Sequence, residues 1–322
     1  MRPETGLTRE EIAVLQALQY DFTLTSTPYR DAARAAGMSV EELLETARRL
    51  AEVGVLKRVG FYLNYKSEGL KAALIGIATN GRHDIIAERY KNDDNTTHVY
   101  VRNHPVYDVW VVVKRPTEQD LIEEARLLEE KYGFKTVVLF GHRTYKLSVK
   151  LDLERGVSRS GPYAYPPPET PHITMEELEI ARKVRILPLV ERPYRVVASQ
   201  LGLAEEVLVS KVRELVRKGV LLDPGAVLNG RMVGFNSNIM VAFNPEGLEN
   251  PCECTARSPY TTHVVLRRVY PEGAWKHTCY FMVHGVSRKA AREAGLETLE
   301  SCGATDWIEI ESLKDLKPGV VR

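Results

Sequence analysis

The sequence predicts an α+β fold built as a tandem duplication, and three observations carry that prediction. The first is a repeat: residues 27–64 align without gaps with residues 192–229, at an offset of 165, with 15 identities in 38 positions. The second is helical spacing of apolar residues at the start of each copy, closed by a glycine and a short β-rich run. The third is an order of strand, helix, strand, strand, helix, strand in the remainder of the copy. The repeat keeps Pro28/Pro193, Tyr29/Tyr194, Arg30/Arg195, Leu50/Leu215 and Gly54-Val55-Leu56 against Gly219-Val220-Leu221. The same offset carries Thr96-Thr97-His98 onto Thr261-Thr262-His263 and Arg102 onto Arg267. A register held that long marks duplication.

Each element has its own local pattern. Ile12, Leu15 and Leu18 lie on one face of a helix ending near Tyr20. Pro28 suits a first helical turn, and Gly37 a turn after Ala36. Ser39 is an N-cap for a helix to Val53 with Leu43, Leu44, Ala47 and Leu50 as its apolar stripe. Gly54 ends it, and Val55–Asn64 is expected to form a β-hairpin wing, which makes a winged helix-turn-helix. Ala72–Thr79, Thr96–Asn103, Val106–Lys114, Thr136–Phe140 and Tyr145–Leu151 are predicted strands; Asp84–Lys91 and Thr117–Tyr132 are predicted helices. That order indicates a ferredoxin-like βαββαβ sandwich. In copy two, a loop with Pro251, Cys252, Cys254 and Pro259 is expected in place of the first of these helices. The domains predicted are a winged helix-turn-helix at 1–66, a ferredoxin-like domain at 67–154, a Pro/Gly-rich linker at 155–172, then the second helix-turn-helix at 173–231 and the second ferredoxin-like domain at 232–322.

Composition bounds the function. Forty-four Lys and Arg against 43 Asp and Glu give a net charge of +1, so no polybasic coat is available for binding nucleic acid by charge alone. No apolar run approaches the ~20 residues of a membrane span, and the N-terminus lacks the apolar core of a signal peptide, which points to the cytoplasm. Four cysteines in 322 residues do not make a disulfide scaffold. Cys252-Glu253-Cys254 lacks the usual zinc spacing, so plain thiols are expected there. The early turns of the second helix carry Glu41, Glu42 and Glu45 in copy one and Glu205 and Glu206 in copy two. Carboxylates there repel phosphates, which favours a packing role for the motif over DNA reading.

The unusual chemistry gathers in two windows, 96–115 and 257–289, which hold five of the eight histidines. The first has His98, Arg102, His104, Tyr107 and Trp110; the second has Arg257, His263, Arg267, Arg268, Trp275, Lys276, His277 and His284. Strand alternation puts His98, Tyr100 and Arg102 on one face, and His263, Val265 and Arg267 on another. A sheet face bearing Arg and His in both copies suits a ligand with several carboxylates. Each histidine after Thr-Thr is equally well read as a hydrogen-bonded strand residue, and the aromatic residues as core. His277 and His284, seven apart on one expected strand, should face opposite sides.

The winged helix followed by a ferredoxin-like domain resembles the Lrp/AsnC regulators. Thr97-His98-Val99-Tyr100-Val101-Arg102-Asn103-His104 with Tyr107-Asp108-Val109-Trp110 is similar to a signature of their enzymatic relatives, the siroheme decarboxylases, with Asp108 in place of an asparagine. Leu187-Pro188-Leu189-Val190-Glu191-Arg192-Pro193-Tyr194, Trp275 and Met282-Val283-His284-Gly285 resemble segments of the partner subunit, so the chain looks like both subunits fused. Lys276-His277-Thr278-Cys279 departs from the family's proline-tyrosine-asparagine run. The resemblance implies a carboxy-lyase that removes CO2 from two acetate groups of siroheme on a route to heme or heme d1. Its iron arrives with the substrate and no further cofactor is required. His104, Tyr107, His263 and His277 would be catalytic, and His98, Arg102, Trp110, Arg257, Arg267, Arg268, Trp275 and Lys276 would bind substrate. No metal site is made by the protein alone, with His104 or His277 as an axial ligand to the substrate's iron. The partner is a heme-type tetrapyrrole, not nucleic acid or membrane, and the chain forms an internal pseudo-dimer open to further homo-oligomerisation. A DNA-binding regulator and a heme-responsive sensor are the alternatives.

Overall fold

Thr8 opens the first helix, α1 (Arg9–Tyr20), through a reciprocal capping box with Glu11. Pro28 starts α2 (Pro28–Ala36), which stops at Gly37 in the left-handed region, and Ser39 with Glu42 caps α3 (Val40–Glu52). The computed structural model describes residues 6–161 and 172–318. After β1 (Leu56–Leu63) and a short 3-10 turn (Tyr65–Glu68) come β2 (Lys71–Ala78), α4 (His83–Tyr90), β3 (Thr96–Arg102), β4 (Val109–Arg115), α5 (Glu118–Tyr132) and β5 (Lys135–Leu147). A small pair, β6 (Leu151–Asp152) and β7 (Val157–Ser158), precedes copy two. That copy runs α6 (Met175–Val184), α7 (Pro193–Leu201), α8 (Glu205–Arg217), β8 (Leu221–Leu228), β9 (Ser237–Phe243), α9 (Pro251–Arg257), β10 (His263–Tyr270), β11 (Cys279–Gly285), α10 (Arg288–Ser301) and β12 (Trp307–Asp315).

Several expectations are corrected. The wing is not a hairpin within one copy: β1 pairs antiparallel with β8, so each copy supplies one strand of a shared ribbon. An isolated wing would leave a bare edge, and duplication provides the partner that covers it. The ribbon bends at Gly60 and Gly225, whose φ of 150° and 122° suit only glycine. A Cβ there would stand 2.3 Å from the Arg185 carbonyl oxygen and 2.7 Å from that of Leu18. The start of the expected linker is ordered structure, since Val157 pairs with Asp152 and with Gly285 and Ser158 is fully buried; Pro162, the Pro166–Pro168 run and Pro171 lie outside the described residues. Thr136–Phe140 and Tyr145–Leu151 are not two strands: β5 takes in the first and runs on to Leu147, with β6 following. The cysteine segment is helical, as α9, and the four cysteines are paired, Cys252 with Cys279 and Cys254 with Cys302. The thiol reading failed because β11 and the end of α10, remote in sequence, are folded against α9.

The helix-turn-helix halves share one apolar core built from α1–α3, α6–α8 and the ribbon. The Arg48 guanidinium donates to the Leu189 carbonyl at 2.9 Å, and Arg213, its counterpart at the repeat offset, donates to the Leu24 carbonyl at 2.7 Å. Leu24 and Leu189 are themselves 165 apart, so the two copies clasp each other by a matched pair of bonds. The late basic residues of the would-be recognition helices are thus engaged inside the chain. Replacing both Arg48 and Arg213 with Ala should lower unfolding free energy by about 1 kcal/mol per site, measured by urea titration.

Each ferredoxin-like domain contributes four strands, and the sheets join at both edges. The order is β5-β2-β4-β3-β12-β9-β11-β10, and β10 pairs back to β5, so the eight strands close a ring. The joints β3–β12 and β10–β5 are equivalent under the repeat. Side chains alternate around the ring: Ala73, Ile75, Val99, Val101, Val109 and Val111 pack outward against α4 and α5, and Ile239, Val241, Phe281 and Val283 pack outward against α9 and α10. The opposite faces meet in a central core with Leu74, Trp110, Leu139, Met240, Tyr280 and Ile310. Among the described residues no helix is long and apolar enough to cross a membrane.

Candidate functional site

Strand alternation fixes which polar residues reach the ring interior. Val99 and Val101 face outward, so His98, Tyr100 and Arg102 face inward; Val264 and Leu266 face outward, so His263, Val265 and Arg267 face inward. The two arginines are built alike. Arg102 donates from one Nη to the Ile310 carbonyl at 3.0 Å, across the β3–β12 joint, and its guanidinium lies 5.2 Å over the Tyr100 ring. Arg267 donates to the Leu139 carbonyl at 3.1 Å, across the β10–β5 joint, and lies 5.2 Å over the Tyr280 ring. The Nε of each is buried without a hydrogen-bond partner among the described residues. Burial pulls Arg102 down to about 10, so it remains a cation at neutral pH. Two guanidiniums, that of Arg102 buried and that of Arg267 half-buried, each with a buried unpaired Nε, are an unsatisfied demand for anions.

His98 and His263 also satisfy the plainer expectation. Each ring Nδ1 lies within hydrogen-bond distance of the preceding threonine hydroxyl, 2.9 Å from Thr97 and 3.0 Å from Thr262. His263 is half-buried and neutral: loss of solvation pushes it down to about 4, with Asp223 opposing and Arg267 acting in the same direction.

A second cluster forms where the loop after β3 meets the loop before β11. His104 packs against Tyr107, Trp110 and Trp275 with ring centroids 5.6, 5.9 and 5.3 Å apart, and Trp275 packs against His277 at 5.9 Å. The structure therefore unites the His104 and His277 windows, which lie far apart in sequence. The Nδ1 of His104 accepts from the backbone N–H groups of Val106 and Tyr107, which places its proton on Nε2. Burial, and then His277, lower its pKa, so it is a neutral hydrogen-bond donor at neutral pH. His277 Nε2 lies 3.0 Å from Asp306, whose other oxygen pairs with Lys276 at 2.8 Å. Lys276 and then His277 hold Asp306 at about 2, so it stays ionised. Trp110 Nε1 donates to the Tyr107 carbonyl and Trp275 Nε1 to the His277 carbonyl, which anchors both indoles.

Three predicted ligand residues fall outside. Arg257 sits on α9, paired with Glu253 beside an outer hollow of about 550 Å3. Arg268 points away from the interior, over the Phe140 ring and paired with Glu118. Lys276 is exposed and engaged by Asp306. Their strand parity or loop position turns them outward despite their basic neighbours. His277 and His284 do line different places, but not by alternation along one strand: β11 begins at Cys279, so His277 precedes it, while His284 shares the inward face with Tyr280 and Met282. Asp108, the expected asparagine position, accepts from Thr79, Gly81 and His83; these bonds outweigh its burial and keep it ionised as a brace for the loop after β2.

Sequence reasoning missed Asp306, Asn238 and Ser312. Asp306 becomes a partner of His277 only because the turn after α10 folds against the loop before β11. Asn238 is a polar residue in phase with inward-facing Met240 and Ala242, a signal that alternation alone could have raised.

Comparison with known proteins agrees with this architecture. Residues 232–317 match the family described as AsnC-like ligand binding domain, and residues 11–56 and 185–221 match the siroheme decarboxylase NirDL-like HTH domain. A siroheme decarboxylase of Hydrogenobacter thermophilus is 28% identical over 282 residues, covering 84% of this chain and 82% of that protein. The siroheme decarboxylase NirD subunit of Pseudomonas aeruginosa is 32% identical over 117 residues, covering 36% of this chain and 75% of the subunit. The crystal structure of the siroheme decarboxylase NirDL superposes with a TM-score of 0.63 at 22% identity, over 96% of this chain and 92% of that one, and shares its fold. With helix-turn-helix and ligand-binding domains both matched and a relative of such identity aligned, the chain belongs to the siroheme decarboxylase family.

Proposed function

We propose that this chain is a siroheme decarboxylase, a carboxy-lyase that removes CO2 from two acetate side chains of siroheme to give didecarboxysiroheme, on a route to heme or heme d1. The observation that carries the reading is the pair of arginines Arg102 and Arg267, each with a buried, unpaired Nε in the shared interior of the two copies. Siroheme carries eight carboxylates, a ligand matched to that demand. One relative, the siroheme decarboxylase NirDL, has been solved with an iron-uroporphyrin III analogue, which supports a tetrapyrrole as the ligand.

The chemistry needs few groups. The bond between the acetate methylene and its carboxyl carbon breaks, CO2 leaves, and the electron pair remains on the methylene in conjugation with the macrocycle. One proton then converts that carbon to methyl. Arg102, with its unpaired Nε, holds a carboxylate, and His104, neutral with its proton on Nε2, donates a hydrogen bond that orients another. His277, backed by ionised Asp306, is the proton donor. Tyr107, Trp110 and Trp275 keep water from the cluster, which strengthens each electrostatic contact. The iron belongs to the substrate and the protein brings no cofactor of its own. The fused copies act as an internal pseudo-dimer.

Anaerobic incubation of the purified chain with siroheme, followed by mass spectrometry, tests the reading. A product lighter by two molecules of CO2 is expected. Siroheme recovered unchanged from folded protein overturns it.

A further inference from the structure

All four cysteines fall in copy two, where they tie α9 to two different neighbours: Cys252 to Cys279 on β11, and Cys254 to Cys302 at the end of α10. The two bonds differ in access. Cys252 and Cys279 are 3% and 0% exposed and belong to the apolar core beneath α9 and α10. Cys254 and Cys302 are half-buried, and Cys254 lines the outer hollow of about 550 Å3 together with Glu249, Asn250, Glu253, Arg257 and Ser258. Disulfide exchange requires a thiolate to reach one of the two sulfurs, so access decides which bond opens. Two acids and an arginine around the hollow match a small thiol that carries both an ammonium group and carboxylates.

The repeat shows what the outer bond replaces. At the offset of 165 the counterpart of Cys254 is Arg89 on α4, which donates from Nε to Glu124 on α5 at 2.9 Å. Copy one thus joins its two helices by an ion pair, and copy two joins the equivalent helices by a covalent bond. Only the second can be opened by electrons. Cys302 also stands four residues before Asp306, in the turn that leads from α10 to β12. The segment on the other side of the bond leads to the same place: Asn244, between β9 and α9, donates its backbone N–H to the Asp306 carbonyl at 2.9 Å. Cys254–Cys302 therefore ties together two segments that meet at Asp306, the residue that backs His277.

We infer that Cys254–Cys302 is an exchange site for small zwitterionic thiols, and that opening it loosens the turn holding Asp306 behind His277. The link to catalysis rests on the proposed decarboxylase reading; the exchange chemistry does not. A thiolate in the hollow attacks Cys254 Sγ, forms a mixed disulfide there and expels Cys302 as a thiolate. A second thiol attacks the small-molecule sulfur of that mixed disulfide and releases Cys254. Two small thiols become one disulfide, their two electrons reduce the protein bond, and their two protons end on Cys254 and Cys302. The helix α9 stays in place through Cys252–Cys279, the Ser258–Thr298 hydroxyl pair at 2.7 Å, and the Thr261 hydroxyl, which donates to the Thr255 carbonyl at 2.9 Å.

Reduced glutathione is the probe. The full folded chain is titrated with it, alkylated and mapped by mass spectrometry, while hydrogen exchange follows the segment 299–308. Cys254 and Cys302 should become alkylated or glutathione-bound while Cys252 and Cys279 stay paired. Protection of the turn should then fall about fivefold, and siroheme turnover about threefold as Asp306 loses its fixed place. The double variant Cys254→Ser, Cys302→Ser should show both effects without reductant, and the wild-type titration keeps the test valid should that variant fold poorly. Arg257→Ala should slow opening by glutathione about threefold and leave opening by uncharged 2-mercaptoethanol unchanged. Opening of Cys252–Cys279 first, a folded chain that resists glutathione, or an equal effect of Arg257→Ala on both thiols overturns the exchange site. Unchanged protection or turnover once Cys254 and Cys302 are open overturns the coupling to Asp306. Siroheme left unconverted by the oxidised chain overturns the decarboxylase reading, and the thiol map and hydrogen exchange still decide this one.

Discussion

His277→Ala should slow siroheme decarboxylation by about 10²–10⁴-fold, the range for loss of a positioned proton donor. Tetrapyrrole binding should persist, because Arg102 and its unpaired Nε remain. Asp306→Asn should give a smaller loss, since a neutral amide then stands where a carboxylate faced the His277 ring. Asp306 itself is held at about 2 by Lys276 and His277 and stays ionised throughout the useful range. His104→Ala should act mainly on KM, because a neutral imidazole whose Nδ1 already accepts two backbone bonds is an orienting donor. Single-turnover mass spectrometry separates these cases. Undiminished rates in His277→Ala would assign proton delivery elsewhere.

Acid should destabilise the fold well before its carboxylates titrate. In the unfolded chain His263 and His284 take up protons near their ordinary value of 6.5, whereas burial keeps them neutral down to about 4 and about 3 in the folded chain. Between these limits the unfolded state binds more protons, so their contribution is fully present above pH 6.5 and is lost as pH falls. At up to about 1.4 kcal/mol per pH unit for each group, the pair accounts for a loss on the order of 5 kcal/mol by pH 4. His104, also lowered by burial, adds in the same direction. The contributions of ionised Asp108 and Asp306 are lost only below about 3.8, and those of Glu11, Glu42 and Glu177 below about 4.5, so the window from 6.5 to 4.5 belongs to the histidines. Urea unfolding at pH 7 and pH 4.5 measures the effect, and His284→Gln should flatten it. An equal unfolding midpoint at both pH values would show that these rings are already charged in the folded state.

Much of this protein was legible from the chain alone, for a physical reason that separates the two kinds of information. Helix caps at Thr8 and Ser39, the apolar stripe of α3, and the inward phase of His98–Arg102 and His263–Arg267 depend on neighbours a few residues away. The duplication is legible because its register survives as identities at an offset of 165. Those features determined the α+β class, the two-part unit and the residues bearing charge on a common sheet face. They also determined that the helix-turn-helix motifs carry acids where a DNA reader needs bases.

What needed tertiary structure was every choice of partner. Nothing local says that β1 pairs with β8, that Cys252 meets Cys279, or that the two sheets close through β3–β12 and β10–β5. Such pairings are decided by burial and edge satisfaction over separations of more than 100 residues in the ring joints, where the sequence carries no periodic trace. Closure also sorted the basic residues, turning Arg102 and Arg267 inward and leaving Arg257, Arg268 and Lys276 outside. The two copies also differ where Tyr65 reaches Gly141, because the position 165 residues on from Tyr65 is Gly230.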